Sequence, residues 1–180
     1  MRIISGIYKG KIISPPSTLP SRPTTDFAKT GLFNILNNYY NLENLKVLDL
    51  FGGTGNISLE FISRGAMEVH YVERNHQCSR FVKEQARILN ISTLHLYKSD
   101  VFTFLKSTKE KFNLIFADPP YDTEDAKHTV NSVFEKDILE KNGMLIVEHS
   151  NRQNLNAEPN FRQVRKYGNV CFSFFHEFDI

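Results

Sequence analysis

Lys46-Val47-Leu48-Asp49-Leu50-Phe51-Gly52-Gly53-Thr54-Gly55 is an apolar strand running straight into a glycine-rich turn, after which Asn56-Ile57-Ser58-Leu59 opens a helix. Glycines at such a turn let the backbone approach a ligand closely and tolerate positive φ. Alone, the loop can also be read as a tight strand-to-helix turn, because it lacks the third glycine of a dinucleotide fingerprint. Glu73 shifts that balance. It closes the next β-prone run, near the offset of about 20 residues at which a carboxylate binds ribose hydroxyls, so the loop points to a cofactor that contains a nucleoside.

Outward from this unit the chain alternates strand and helix. The spacing predicts strands over 46–50, 68–73, 93–98, 112–117 and 144–148, several of them apolar throughout and so buried on both faces. Helices are expected over 56–64, 76–89 and 125–140, closed by Gly65, Asn90 and Asn142-Gly143, with only a short turn after Asp100. This order implies a doubly wound, mostly parallel α/β sheet. Two β-prone runs, 161–167 and 170–178, are separated only by Gly168-Asn169. So tight a link permits an antiparallel hairpin and no crossover helix, which brings the sheet to seven strands. Phe172, Phe174, Phe175 and Phe178 read as core of that hairpin.

The front of the chain differs. Residues 2–4 and 11–13 form a small β-hairpin around Gly6 and Gly10, followed by a Pro- and Ser-rich linker up to Pro23. Thr24, Thr25 and Asp26 are suitable N-caps for a helix with Ala28, Leu32, Ile35, Leu36 and Tyr39 on its apolar face. The expected division is an N-terminal extension over 1–23 and one larger domain over 24–180. Net charge is +2 for the whole chain, yet residues 1–30 hold Arg2, Lys9, Lys11, Arg22 and Lys29 against Asp26 alone. A cationic arm suits phosphate contact, so Arg2, Lys9, Lys11 and Arg22 are candidate phosphate ligands, although a solvated hairpin with ordinary lysines reads equally well from charge.

Two further carboxylates follow strands. Asp100 sits where the crevice at the carboxyl ends of the strands would continue; it could accept a bond from an adenine amino group while also capping a helix. The most specific feature is Asp118-Pro119-Pro120-Tyr121, directly after the apolar run 112–117. Two prolines remove two backbone donors, so the loop presents acceptors, the Asp118 carboxylate and the Pro119 carbonyl. Such acceptors suit the hydrogens of an exocyclic amine, whose lone pair is otherwise delocalised into its base. Tyr121 offers a face on which an unstacked base can lie.

Together, Asp49-Leu50-Phe51-Gly52-Gly53-Thr54-Gly55 and Asp118-Pro119-Pro120-Tyr121 resemble the class I S-adenosylmethionine-dependent amino-methyltransferases. Met1-Arg2-Ile3-Ile4-Ser5-Gly6, Tyr8-Lys9-Gly10-Lys11, Arg22-Pro23-Thr24-Thr25-Asp26 and Leu32-Phe33-Asn34 narrow the likeness to the RsmD family, over nearly the whole chain. The resemblance implies a Rossmann-like class I methyltransferase fold and transfer of a methyl group from S-adenosyl-L-methionine to a guanine N2 of 16S ribosomal RNA in the 30S particle. It implies a cofactor site formed by Thr24, Asp49, Phe51, Gly52, Gly53, Thr54, Gly55, Glu73 and Asp100. The base is then held by Asp118, Pro119, Pro120 and Tyr121. The chain has Gly52-Gly53-Thr54 where the family commonly has Ala-Gly-Ser, and Phe27 to Thr30 where it commonly has arginine or glutamate.

Other classes are weaker. Hydrophobic residues make up 41% and charged residues 23% of the 180, enough core for one domain and not for two. Cys78 and Cys171 build no disulfide framework, Lys9 and Lys11 interrupt any leader-like run, and no apolar stretch approaches the roughly 20 residues of a membrane span. A cytoplasmic monomer is expected. The six histidines show no paired ligand spacing, so no metal site is expected. An adenine N6 methyltransferase acting on DNA shares the Asp-Pro-Pro-Tyr hallmark but usually carries a further recognition domain. A non-catalytic RNA-binding assembly factor on the same scaffold is opposed by the intact Asp118 and glycine loop.

Overall fold

The apolar run after Leu45 forms strand β1 (Lys46–Leu50), and the run after Met67 forms β2 (Glu68–Val72). In the computed structural model, which describes residues 1–20, 24–121 and 123–176, the sheet continues with β3 (Leu94–Tyr97), β4 (Phe112–Ala117), β5 (Leu139–Ser150), β6 (Phe161–Tyr167) and β7 (Val170–Phe175). Its spatial order is β3-β2-β1-β4-β5-β7-β6. The first five strands are parallel; β7 runs antiparallel to both β5 and β6. The order reverses between β1 and β4, so the ligand crevice of such a sheet lies at their carboxyl ends.

Helices cover both faces. Helix α1 (Asp26–Tyr39) starts where Thr25 accepts the Ala28 N–H, and buries Ala28, Leu32, Phe33 and Leu36 against α2 (Asn56–Ser63) and one face of the sheet. Leu32, Phe33 and Leu36 each contribute about 1.5–3 kcal/mol on burial. Helix α3 (His76–Ile88) is capped by the Asn75 side chain, which accepts from Gln77 and Cys78 N–H. On the opposite face lie α4 (Val101–Ser107) and α5 (Asp125–Glu135), with Val101, Phe104, Ala126, Val130 and Val133 packed on β1, β4 and β5. No helix among the described residues is long and apolar enough to cross a membrane.

Three local expectations are corrected. The segment after Asp100 is a full helix, α4, because the Asp100 side chain accepts the Thr103 N–H and so starts a helical turn. Helix α5 ends at Glu135, with Asp137 at φ 49°, and β5 begins at Leu139, well before residue 144. Asn142-Gly143 is therefore no helix stop. It lies inside β5, where Asn142 takes φ 63° and the pairing with β4 slips between Phe112 and Leu114.

The third concerns the front. The hairpin is reduced to one antiparallel bridge, Arg2 to Ile12, yet it is stitched to α2. Glu60 accepts the N–H groups of Ile4 and Ser5, and the Ile7 N–H donates to the Ser63 carbonyl at 2.7 Å. Ile3 and Ile13 pack on Leu59 and Leu89. Lys29, counted above with the basic arm, is buried: its Nζ donates to the Arg2 carbonyl at 2.7 Å and to Asn56 Oδ1 at 2.8 Å. Burial and pairing within the core take it out of the exposed arm. Of the remaining arm, Arg2, Lys9 and Lys11 are exposed and Arg22 lies outside the described residues.

Candidate active site

Strand ends supply the acidic groups. Asp49 follows the alternation of β1 into the interior, where its Oδ2 accepts both the N–H and the hydroxyl of Ser58 on α2. That bond ties the strand to the helix beneath the glycine loop. Gly55 then enters α2 at φ 73°, and a Cβ there would press on Val82 of α3 at 2.8 Å. At Gly52 a Cβ would meet the Tyr71 ring at 2.4 Å, while the Tyr71 hydroxyl donates to the Gly53 carbonyl at 2.6 Å. The loop is thus shaped from below by an aromatic ring.

Glu73, just past β2, accepts the Gly53 N–H at 3.0 Å and the Asn75 N–H at 2.6 Å. It braces the glycine loop and the start of α3 together. Asp100 caps α4 through Oδ1 alone, so capping leaves its other oxygen for a ligand. At the end of β4 the Asp118 N–H donates to the Leu50 carbonyl at 3.2 Å, setting the Asp-Pro-Pro-Tyr loop beside the glycine loop.

These residues open onto one cleft of about 910 Å³ at the carboxyl ends of the strands. Thr24, Asp49, Phe51, Gly52, Gly53, Thr54, Glu73, Asp100, Asp118, Pro119, Pro120 and Tyr121 line it; Gly55 lies behind, against Val82. Of the sequence-derived set, Arg2, Lys9 and Lys11 lie outside the cleft, on the hairpin. Tyr121 remains 43% exposed, which leaves a ring face for a planar partner.

Sequence reasoning missed several lining residues, Glu148 and Phe102 among them. Glu148, at the end of β5, is buried; Oε1 accepts the Tyr121 hydroxyl at 3.0 Å and Oε2 accepts the Thr24 hydroxyl at 2.9 Å. The same rule that singled out Asp118, a carboxylate after an apolar parallel strand, applies to it. Phe102 meets Phe51 edge-on, 6.2 Å between ring centres, and stacks on His128.

The electrostatics follow from burial without a cation. Asp49 is pushed up to about 7, chiefly by burial, against the pull of its Ser58 bonds. Burial, then the neighbouring Glu148 and Asp49 charges, hold Asp118 well above the usual carboxylate range. Glu148 is also raised by burial, opposed by its two hydroxyl donors. Among the described residues no ion pair includes any of the three. Arg74, exposed, is the one cation lining the cleft among the described residues, and it is paired with none of the three.

One metal-like grouping does form, away from the cleft. Pairing of β2 with β3 brings Glu68, His70 and His95 within 4.8 Å of one another. The Lys46 ammonium already stands 3.5 Å from Glu68, and His70 is bonded to both Glu68 and Tyr97. The Lys46 ammonium and the bonds on both His70 ring nitrogens occupy the place a metal ion would need.

The family described as conserved hypothetical protein 95 matches residues 1–176. The chain belongs to that family. It is the RsmD family of the sequence motifs: the ribosomal RNA small subunit methyltransferase D of Buchnera aphidicola subsp. Acyrthosiphon pisum (strain APS) is 32% identical over 165 residues, covering 91% of this chain and 85% of that relative. A hypothetical protein of Thermus thermophilus superposes with a TM-score of 0.86 at 26% identity, covering 98% of this chain and 99% of the other. The fold is also that of the T. thermophilus 16S rRNA N2 G1207 methyltransferase (RsmC), solved with AdoMet and guanosine, at a TM-score of 0.72 and 21% identity over 88% of this chain and 45% of that one. The RsmD chain thus has the class I methyltransferase architecture expected from its motifs.

Proposed function

We propose that this RsmD-family chain transfers a methyl group from S-adenosyl-L-methionine to the exocyclic N2 of a guanine in small-subunit ribosomal RNA, acting as a monomer on the assembled 30S particle. The observation that carries the reading is the junction of the two loops: Asp118-Pro119-Pro120-Tyr121 and the Glu73-braced glycine loop open onto one cleft. Its relative is named for methylating the same class of RNA.

The residues fit that cofactor. When bound, S-adenosyl-L-methionine supplies a methyl group activated by a sulfonium. Buried and half-buried carboxyls with no cation paired to them suit a positively charged ligand, and Gly52 and Gly53 present backbone in the cleft wall. Glu73 receives the ribose hydroxyls and Asp100 the adenine amine; Phe51 and Phe102 supply apolar walls. Asp49 works from beneath, bonding Ser58 and so holding the loop, while Thr24 acts through Glu148.

On the other side of the cleft, the Asp118 carboxylate and the Pro119 carbonyl orient the guanine amine, and Tyr121 stacks on the base. The protein's main task is alignment of nitrogen, methyl carbon and sulfur. Asp118 then accepts the amine proton. The exposed Arg2, Lys9 and Lys11, together with Arg22, contact phosphates, making the hairpin of the 1–23 extension the RNA-facing part beside a 24–180 catalytic domain.

The test is methyl transfer from tritiated cofactor to 30S particles and to free 16S RNA, followed by nucleoside mass spectrometry. N2-methylguanosine is expected. Label found only in N6-methyladenine, or none with any RNA, overturns the proposal.

A further inference from the structure

We propose that Glu148 is a positioning residue for methyl transfer: as an ionised neighbour it keeps a proton on Asp118 until the cleft is charged by its ligands, and it holds Tyr121 and Thr24 in place through their hydroxyls. The proposal rests on the methyltransferase reading above.

Geometry makes the two carboxyls neighbours. Ala117 and Val147 are paired across β4 and β5, and Asp118 and Glu148 are the next residues of each. Glu148 is buried and Asp118 half-buried, and two such carboxyls set side by side with no cation paired to either do not both ionise readily near neutrality. Hydrogen bonds decide which one does. Glu148 accepts two hydroxyl donors, one on each oxygen, from Tyr121 and Thr24. Those bonds favour the charged form, so the negative charge stays on Glu148 and the proton on Asp118.

The other titratable groups around the pair reinforce this. Asp49 arrives from β1, with Glu73 acting on it from the end of β2; Tyr121 comes from the loop and Cys171 from β7. All are acids. His149, next along β5, is engaged by Ser173 and the Ser150 carbonyl. A cationic ligand in the cleft is then what releases the Asp118 proton.

For the reaction, the guanine amine forms its bond to the methyl carbon as the carbon–sulfur bond breaks, the electron pair remaining on sulfur. The amine proton passes to the Asp118 carboxylate and from there to solvent. Asp118 must therefore be ionised beforehand, and Glu148 sets the pH at which it is. This gives the Thr24-Glu148-Tyr121 chain a chemical consequence beyond packing.

Glu148→Gln retains an acceptor for the Tyr121 hydroxyl and removes the charge. In carboxyl-carbon NMR titrations of the protein alone, with Asp118→Asn identifying the resonance, Asp118 should titrate lower by about one pH unit or more in Glu148→Gln. The acid limb of the pH–kcat profile should move down with it. Tyr121→Phe, which removes one donor from Glu148 while keeping the ring, should shift the same resonance down by a smaller amount and serves if Glu148→Gln does not fold. An Asp118 resonance unmoved in the folded variants, or an activity loss with the acid limb in place, overturns the proposal and leaves Glu148 a purely structural residue. Failure of the wild-type protein to methylate any RNA counts instead against the methyltransferase reading, because the NMR titration is independent of turnover.

Discussion

The Lys29 ammonium lies 3.3 Å from the Glu60 carboxylate, and the two side chains are 1% and 0% exposed. This pair joins α1 to α2, and through the bonds of Lys29 to the Arg2 carbonyl and of Glu60 to the Ile4 and Ser5 N–H groups it also fastens the N-terminal hairpin. Arg64 completes the set, its Nε donating to Glu60 at 2.8 Å. Burial lowers the Lys29 pKa, and Glu60 opposes that shift.

Removing Lys29 leaves Glu60 buried with Arg64 as its remaining cation, so the cost lies at the low end of the range for an uncompensated buried charge, about 3 kcal/mol. Lys29→Ala should therefore lower the unfolding free energy in urea by that much and expose the hairpin to protease. An unchanged midpoint would show that the hairpin and α1 do not depend on this contact.

Asp49 makes a separate pH dependence. Its carboxyl titrates at about 7 in the fold against an ordinary 3.8, so between those values the folded chain holds a proton that the unfolded chain has lost. Stability in the absence of ligand should consequently fall as pH rises from about 4 to about 7. Asp49→Asn keeps an acceptor for Ser58 and removes this share of the slope, gaining up to about 4 kcal/mol above neutrality. Urea titrations at a series of pH values read the slope directly; a wild-type slope in the variant would exclude Asp49 as its source.

Cofactor affinity should depend on Glu73. Glu73→Ala is expected to weaken S-adenosyl-L-methionine binding by about 1.5–3 kcal/mol, the scale of hydrogen bonds to a charged group. Calorimetry measures it, and unchanged affinity would remove Glu73 from the cofactor site.

The exposed lysines of the hairpin should act on RNA alone. Lys9→Ala combined with Lys11→Ala should reduce the salt slope of RNA binding by about 1–2 and leave cofactor affinity as it was. A filter-binding series over salt concentration gives the slope; if it does not move, another surface faces the RNA.

Asp118→Ala should depress turnover by orders of magnitude while cofactor binding persists, since its carboxylate orients the amine and takes the proton. Tyr121→Ala should chiefly raise the KM for RNA. Single-turnover kinetics separate the two, and near-normal turnover of the Asp118 variant would defeat the proposed chemistry.

The sequence by itself determined the alternating strands and helices, the terminal hairpin and the two motif loops, because each is encoded by local signals: apolar runs, an N-cap at Thr25, glycines, and a proline pair after a strand. It also placed Asp49, Glu73, Asp100 and Asp118 at strand ends, which in a parallel sheet share one edge. Only the tertiary structure decided what those ends do to one another. Lys29 reads as a surface cation until α2 brings Glu60 and Asn56 to it from remote positions in the chain. Glu148 reads as the polar end of a strand until β5 sets it beside Asp118 and under the hydroxyls of Tyr121 and Thr24. Charge state and hydrogen bonding in a buried cluster depend on partners far apart in sequence, and no local periodicity carries that information.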